Sequence, residues 1–241
     1  MVSNDVEALG PGETCQALLL TAKARIIAPL TVLRRGPDDF LLLTEPSLGD
    51  RVVGELRRFR FAAKCAIELE QHTTSIVLGE PPEGGLATTE YGVPAYELLD
   101  ADASASPLED SAFERLRILA RTPAWGRELD DRVLPAEAGL EERYISFTKG
   151  CYPGQEPVAR LHYRGHPNRS LRVLELEGNH VPPYDAELTF EDKVVGRITS
   201  AVADGHSVLA LAYVRKEVAG DAVLHHGSRS ATQLHSPSPR P

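Results

Sequence analysis

The chain has 241 residues, 42% of them hydrophobic and 25% charged, and a formal net charge of -9. That balance supports one large or two smaller cores, and no apolar run approaches the roughly 20 residues of a membrane-spanning helix. The negative charge disfavours a protein that grips phosphate backbones, so no direct nucleic-acid binding is expected. Cys15, Cys65 and Cys151 are odd in number and far apart, matching neither a disulfide framework nor a zinc spacing. A reducing, cytoplasmic setting is expected, and residues 1–10 carry no signal-peptide pattern.

Ala17–Leu20 and Arg25–Leu33 read as strands joined by a turn at 22–24, and Phe40–Leu43 as a third strand after the turn at 36–39. Leu48, Val52, Leu56 and Phe59 recur at helical spacing behind Ser47, which predicts a helix from Ser47 to about Phe61. Ala66–Leu69 and Ser75–Leu78 return to strand character. The stretches 79–85 and 100–107 read as loops. The second leads into Ser106-Pro107-Leu108-Glu109, a helix-start pattern. The stripe Leu108, Phe113, Leu116 and Leu119 carries that helix to about Arg121. Short alternating segments at 171–176, 186–190, 194–202 and 208–214, the last two joined by Asp204-Gly205, predict a small β-barrel. From Asp221 the chain is polar and proline-rich and is expected to be disordered. The division expected is therefore an α+β region over 1–167, a barrel over 168–220 and a tail over 221–241.

The chemistry concentrates in Lys149-Gly150-Cys151-Tyr152-Pro153-Gly154-Gln155-Glu156. A helix opening near Gln155, with Pro157 tolerated in its first turn, puts Cys151 close to a helix N-terminus and Lys149, which together push a thiol toward thiolate. Gly150 and Gly154 allow tight turns on either side. Lys149, Arg160, Arg164, Arg169 and Arg172 make this stretch basic within an acidic chain, which favours an anionic ligand or partner. The plainer alternatives are a small buried cysteine, a solvated basic face, and His162 and His166 as ordinary surface or hydrogen-bonded histidines. One cysteine and two scattered histidines fix no metal site.

The same eight residues match the K-G-C-Y-x-G-Q-E signature of the YgfZ family, and Val158-Ala159-Arg160 continues it. Ser3–Val6, Lys23–Ala28, Leu134–Leu140 and Arg164-Gly165 also resemble family landmarks in the family's order. The resemblance to these GcvT-like folate-binding proteins covers the chain to about Ala219. It implies a three-subdomain cloverleaf around a central channel able to hold tetrahydrofolate, ending in a β-barrel. The chain is expected to be an N-terminally shortened member whose first subdomain is incomplete.

Family members are tRNA-modifying or iron–sulfur cluster assembly and repair factors. The resemblance thus implies a folate-binding accessory protein, with Cys151 as a reactive or cluster-contacting thiol and any cluster contact transient. It implies Phe113, Arg117 and Tyr152 toward folate, and Lys149, Gly150, Tyr152, Gly154, Gln155, Glu156 and Arg160 as the motif around the thiol. Expected partners are a folate-type molecule and iron–sulfur proteins or their assembly factors. Two departures separate the chain from the related aminomethyltransferases. Ala28-Pro29 stands where they place an acidic pair, and Leu119 stands where they place a pterin-binding glutamate in R-x-E-A-G. Phe113, one turn before Arg117, offers stacking instead. The alternatives are a folate-dependent one-carbon transferase of that type, or a ligand-free docking module for iron–sulfur proteins.

Overall fold

The computed structural model describes residues 1–60, 64–101 and 106–234. The chain divides into two units. One comprises Met1–Ser75, Leu98–Ala101 and Leu129–His166, the other Ile76–Glu97, Asp102–Glu128 and Pro167–Pro241.

In the first unit, β1 (Thr14–Leu20), β2 (Ile26–Gly36) and β3 (Asp39–Leu43) form an antiparallel sheet in that order. Ala17 to Leu20 and Ile26 to Ala28 are buried without alternation, as in a sheet covered on both faces. Pro29 pairs with Leu18 just past the last β2–β3 pair, Thr31 with Leu43. There β2 has one neighbour, so a missing N–H is tolerated. The β1–β2 turn closes through Thr21, whose carbonyl accepts from the Ala24 N–H and whose hydroxyl accepts from the Arg25 N–H.

The helix expected from Ser47 begins with a 3₁₀ turn, Pro46–Leu48, and becomes α1 at Gly49–Arg58. Ser47 caps nothing, because residue 46 is already helical, and Phe61 lies outside the described residues. The strand expected at Ala66–Leu69 is absent. Leu69 is 52% exposed, so the segment has no apolar face to bury. Side-chain tethers hold it instead: Arg35 pairs with Glu70, the His72 ring bridges Glu70 and Asp100, and Arg57 donates to the Ile67 carbonyl.

The strands β4 (Thr74–Leu78), β5 (Leu86–Thr88) and β6 (Ala95–Leu99) form a second sheet in the order β4-β6-β5. The next helix, α2, spans Asp110–Leu119, shorter than expected from Ser106. Leu108 is exposed, so the first expected turn has no packing to offset the cost of ordering it.

The second unit contains a closed six-stranded barrel. Its strands are β7 (Arg169–Glu177), β8 (Glu187–Phe190), β9 (Lys193–Asp204), β10 (Ser207–Arg215), β11 (Leu224–His226) and β12 (Arg229–Gln233). They close in the order β10-β7-β12-β11-β8-β9. Leu174, Leu176, Leu188, Ile198 and Val208 fill it with no exposure. Asp204 pairs with Ser207 across the expected hairpin, where Gly205 takes φ 65°.

The expectation of disorder from Asp221 and a barrel end at 220 is corrected over 221–234, which carries the two closing strands. His235 to Pro241 lie outside the described residues. These strands bury little beyond Leu224 and Ala231, so their hydrophobic signal is weak. Their backbone groups instead pair with β7 and β8, and closure leaves no edge strand to protect. Residues 106–128, with α2, group with the barrel rather than with the expected 1–167 domain.

Leu224→Ala should lower stability by about 2–5 kcal/mol, the usual cost of emptying a buried leucine site. An unchanged urea midpoint would show that β11 does not close the barrel.

Candidate functional site

Two short helices, α3 (Pro135–Ala138) and α4 (Glu141–Tyr144), precede the signature loop, which runs into α5 (Gln155–Arg164). Pro135 opens α3, where no intrahelical N–H is needed, and the Glu137 carboxylate accepts from the Leu134 N–H at 3.2 Å. Gly139 ends α3 at φ 70°.

The loop is braced from beneath. Tyr152 is buried, and the Lys149 ammonium sits 5.8 Å from the centre of its ring. Lys149 Nζ donates to the carbonyls of Val2 at 2.9 Å and Asn4 at 3.0 Å. The intervening Ser3 is fully buried. Its N–H donates to Leu18 O, its hydroxyl donates to Tyr144 O at 2.6 Å and accepts from the Leu18 N–H at 2.8 Å, and its carbonyl accepts from the Ser146 N–H. Asn4 Nδ2 donates to Gln16 O and Arg143 O. The charge expected to serve the thiol is thus engaged in clasping residues 2–4 against β1 and the loop.

Gly154 ends the loop at φ 83°, a left-handed conformation. A Cβ there would lie 2.5 Å from the Thr21 carbonyl oxygen and 3.0 Å from Ala24 Cα. Both the dihedral and the approach require glycine. Cys151, between these anchors, is exposed, whereas Cys15 on β1 is half-buried. Burial pushes the Cys15 thiol up, Asp5 adds to the effect, and Lys149 opposes it. Burial likewise pushes the Tyr152 phenol up to about 12, with Glu141 reinforcing.

Of the other motif residues, Glu156 is exposed in the first turn of α5 and Gln155 starts the helix. His162 stacks on Phe147 with ring centres 4.0 Å apart, and its Nδ1 lies 3.6 Å from Glu141 Oε1. That oxygen is buried with no hydrogen bond among the described residues, and burial pushes the Glu141 carboxyl up against the opposing pull of His162. His166 is exposed. Among the described residues, no group of three or more His, Cys, Asp or Glu has an arrangement that could hold a metal ion.

Phe113 and Arg117 belong to the second unit, on α2. Phe113 forms a tilted pair with Tyr91, centroids 5.1 Å apart, and both rings are partly exposed. Arg117 is buried. Its guanidinium donates to Glu114 at 2.6 and 2.9 Å, to Glu128 at 3.0 Å, to the Thr122 carbonyl at 2.7 Å and to the Ser200 hydroxyl at 2.6 Å. Ser200 in turn donates to Glu128 Oε1 at 2.7 Å, and the Tyr213 hydroxyl donates to the Glu128 carbonyl. Burial works against the Arg117 charge, but Glu114 and Glu128 outweigh it and hold the guanidinium above its ordinary value. The aromatic pair fits a flat ligand. The Arg117 side chain does not fit a pterin-binding role, because its donors are already engaged. The sequence reading missed Glu128 and Ser200, which are 72 positions apart and carry no local pattern.

No protein-family profile matches the chain. It is 26% identical to the tRNA-modifying protein YgfZ of Yersinia pseudotuberculosis, over 92% of this chain and 79% of that protein. It is 25% identical to the aminomethyltransferase of a Nostoc species, over 91% of this chain and 71% of that one. The crystal structure of glycine cleavage system aminomethyltransferase T from Bartonella henselae superimposes with a TM-score of 0.77, covering 98% of this chain and 78% of that one at 17% identity. At that identity the match establishes the α+β fold with its closing barrel.

Two measurements test the loop. Gly154→Ala should cost at least about 1–3 kcal/mol from the backbone conformation alone, whereas Gly150→Ala, whose Cβ meets nothing within 4 Å, should be near neutral in the same urea titration. For Tyr152, the unfolded chain releases the phenolic proton near its ordinary value of about 10 and the folded chain near 12, so stability falls as pH rises through that window. Unfolding midpoints followed across the window should fall less steeply in Tyr152→Phe than in the unaltered protein.

Proposed function

We propose that this chain, a YgfZ/GcvT-like family member at modest identity, is a folate-binding accessory protein that supports the assembly or repair of iron–sulfur enzymes. Cys151 is the group that acts, as a reactive or cluster-contacting thiol. One observation carries this reading: the thiol is exposed on a loop whose neighbours on both sides are fixed by burial, by carbonyl contacts and by the Gly154 approach. A cysteine serving only as a small core residue would be turned inward. An exposed thiol on a braced loop is instead placed to meet a partner with little ordering cost.

The cluster is cargo in this reading, held between Cys151 and groups supplied by the client. Tetrahydrofolate is the small molecule that the family likeness points to. The Tyr91–Phe113 pair offers it a stacking face, and Arg117 contributes only by fixing α2 and the barrel residues around it. Ala28-Pro29 supplies no carboxylate where the aminomethyltransferases place an acidic pair, which speaks against one-carbon transfer of that type.

The engagement of Arg117 favours a second reading as a docking module for iron–sulfur proteins that takes no folate. Calorimetric titration with tetrahydrofolate under reducing conditions separates the two readings. Saturable binding supports the first, and silence in the calorimeter supports the second.

Cys151→Ser should leave the unfolding free energy within about 0.5 kcal/mol of the unaltered protein's, as surface changes usually do. It should abolish the support of iron–sulfur enzyme activity in cells that depend on this protein. Full support by the serine variant would remove Cys151 from the mechanism.

A further inference from the structure

A cleft of about 480 Å³ opens in the unit that carries the signature loop. It lies among the β1–β2 turn, the start of α3 and one face of α5. On α5, Pro157, Arg160, Leu161 and Arg164 follow one another at helical spacing, so they share a side of the helix. Leu134, Pro135, Val158 and Leu161 give the cleft an apolar floor. Its volume falls in the range of about 300–1,000 Å³ typical of small-molecule sites.

The charges around this floor are unbalanced. Lys23, Arg160 and Arg164 line the cleft and are exposed, and among the described residues none of the three makes an ion pair or a side-chain hydrogen bond. Arg25 also lines it and donates to the Arg132 carbonyl, and among the described residues it makes no ion pair with a carboxylate. Glu141 is the single acid among the lining residues, and its Oε1 is buried beside His162. Several cations around a low-dielectric concavity focus a positive potential into it. An ordinary solvated basic face lacks this concave apolar floor. An apolar ligand without charge would leave the cations' field unanswered.

We propose that this cleft binds a small organic anion whose aromatic or alicyclic body rests on the apolar floor and whose carboxylate or phosphate meets Lys23, Arg160 and Arg164. The site is independent of the folate reading, since neither Phe113, Tyr91 nor Tyr152 lines it, and its failure leaves that reading untouched.

The test is titration of the full chain with 1-naphthoate, 1-naphthyl phosphate and the uncharged 1-naphthalenemethanol, followed by calorimetry and ligand-observed NMR. The expected result is saturable one-to-one binding of at least one anion, with the alcohol weaker by about tenfold or more. The tighter anion identifies the headgroup. The double variant Arg160→Ser, Arg164→Ser changes only exposed side chains and should weaken the anion by about tenfold or more at an unchanged unfolding midpoint. Ala136→Trp, which fills the cleft from α3, should abolish binding. Three outcomes overturn the site: no saturable binding of either anion at millimolar concentration, equal binding of the alcohol, or affinity indifferent to both the double variant and Ala136→Trp.

Discussion

The Thr21 carbonyl oxygen lies 2.5 Å from where a side chain on residue 154 would begin, too close for any Cβ. That close approach ties the β1–β2 turn to the first turn of α5, and much of the signature region follows from it. With Gly154 fixed, α5 can start only at Gln155, and the preceding residues must cross in a tight loop. Tyr152 then turns into the core while Cys151 remains outside. Both the β1–β2 turn and one side of α5 line the same cleft. A single glycine thus joins the loop that presents the thiol to the turn that lines the neighbouring concavity.

The second unit is organised by a different kind of constraint. Glu128 and Arg117 are charged side chains taken almost entirely out of water, which is unfavourable unless their charged atoms find hydrogen-bonding partners. Here they do, through Glu114, Thr122, Ser200 and the backbone N–H of Ala124, which donates to Glu128 Oε2. Removing one partner from such a pair typically costs about 3–5 kcal/mol, because the other is left charged and buried. The arrangement ties α2 to β9 through the Arg117–Ser200 hydrogen bond. The family likeness assigned Arg117 to a ligand, and its neighbours assign it to architecture.

The legibility of the sequence followed the strength of the local pattern. The strands β7, β9 and β10 were readable because each holds a run rich in apolar residues that the barrel buries, and the Gly205 turn separates the last two. The closing strands β11 and β12 were not, since only Leu224 and Ala231 supply apolar burial and the barrel edge supplies the rest. The segment at 66–69 misled in the opposite way: its composition favours a strand, but Leu69 faces solvent and side-chain tethers hold the backbone. The signature loop was legible through its likeness to known proteins, and its supports were not. Lys149 meets carbonyls 145 and 147 positions away, and the cleft collects its cations from separate segments. Neither leaves a spacing that a reader of one sequence could recognise.

The clasp on Ser3 has a consequence for the order in which the protein takes shape. Its hydroxyl bonds to a carbonyl 141 positions later, so β1 and β2 can emerge from the ribosome and pair long before the clasp is available. Until residues 144–149 have been synthesised, the buried flank of β1 has no cover, and closing so long a loop carries the entropic cost that slows non-local folding. The first unit is thus a late assembler despite containing the first strands, and its early hairpin spends much of translation as an unfinished surface of the kind that chaperones bind.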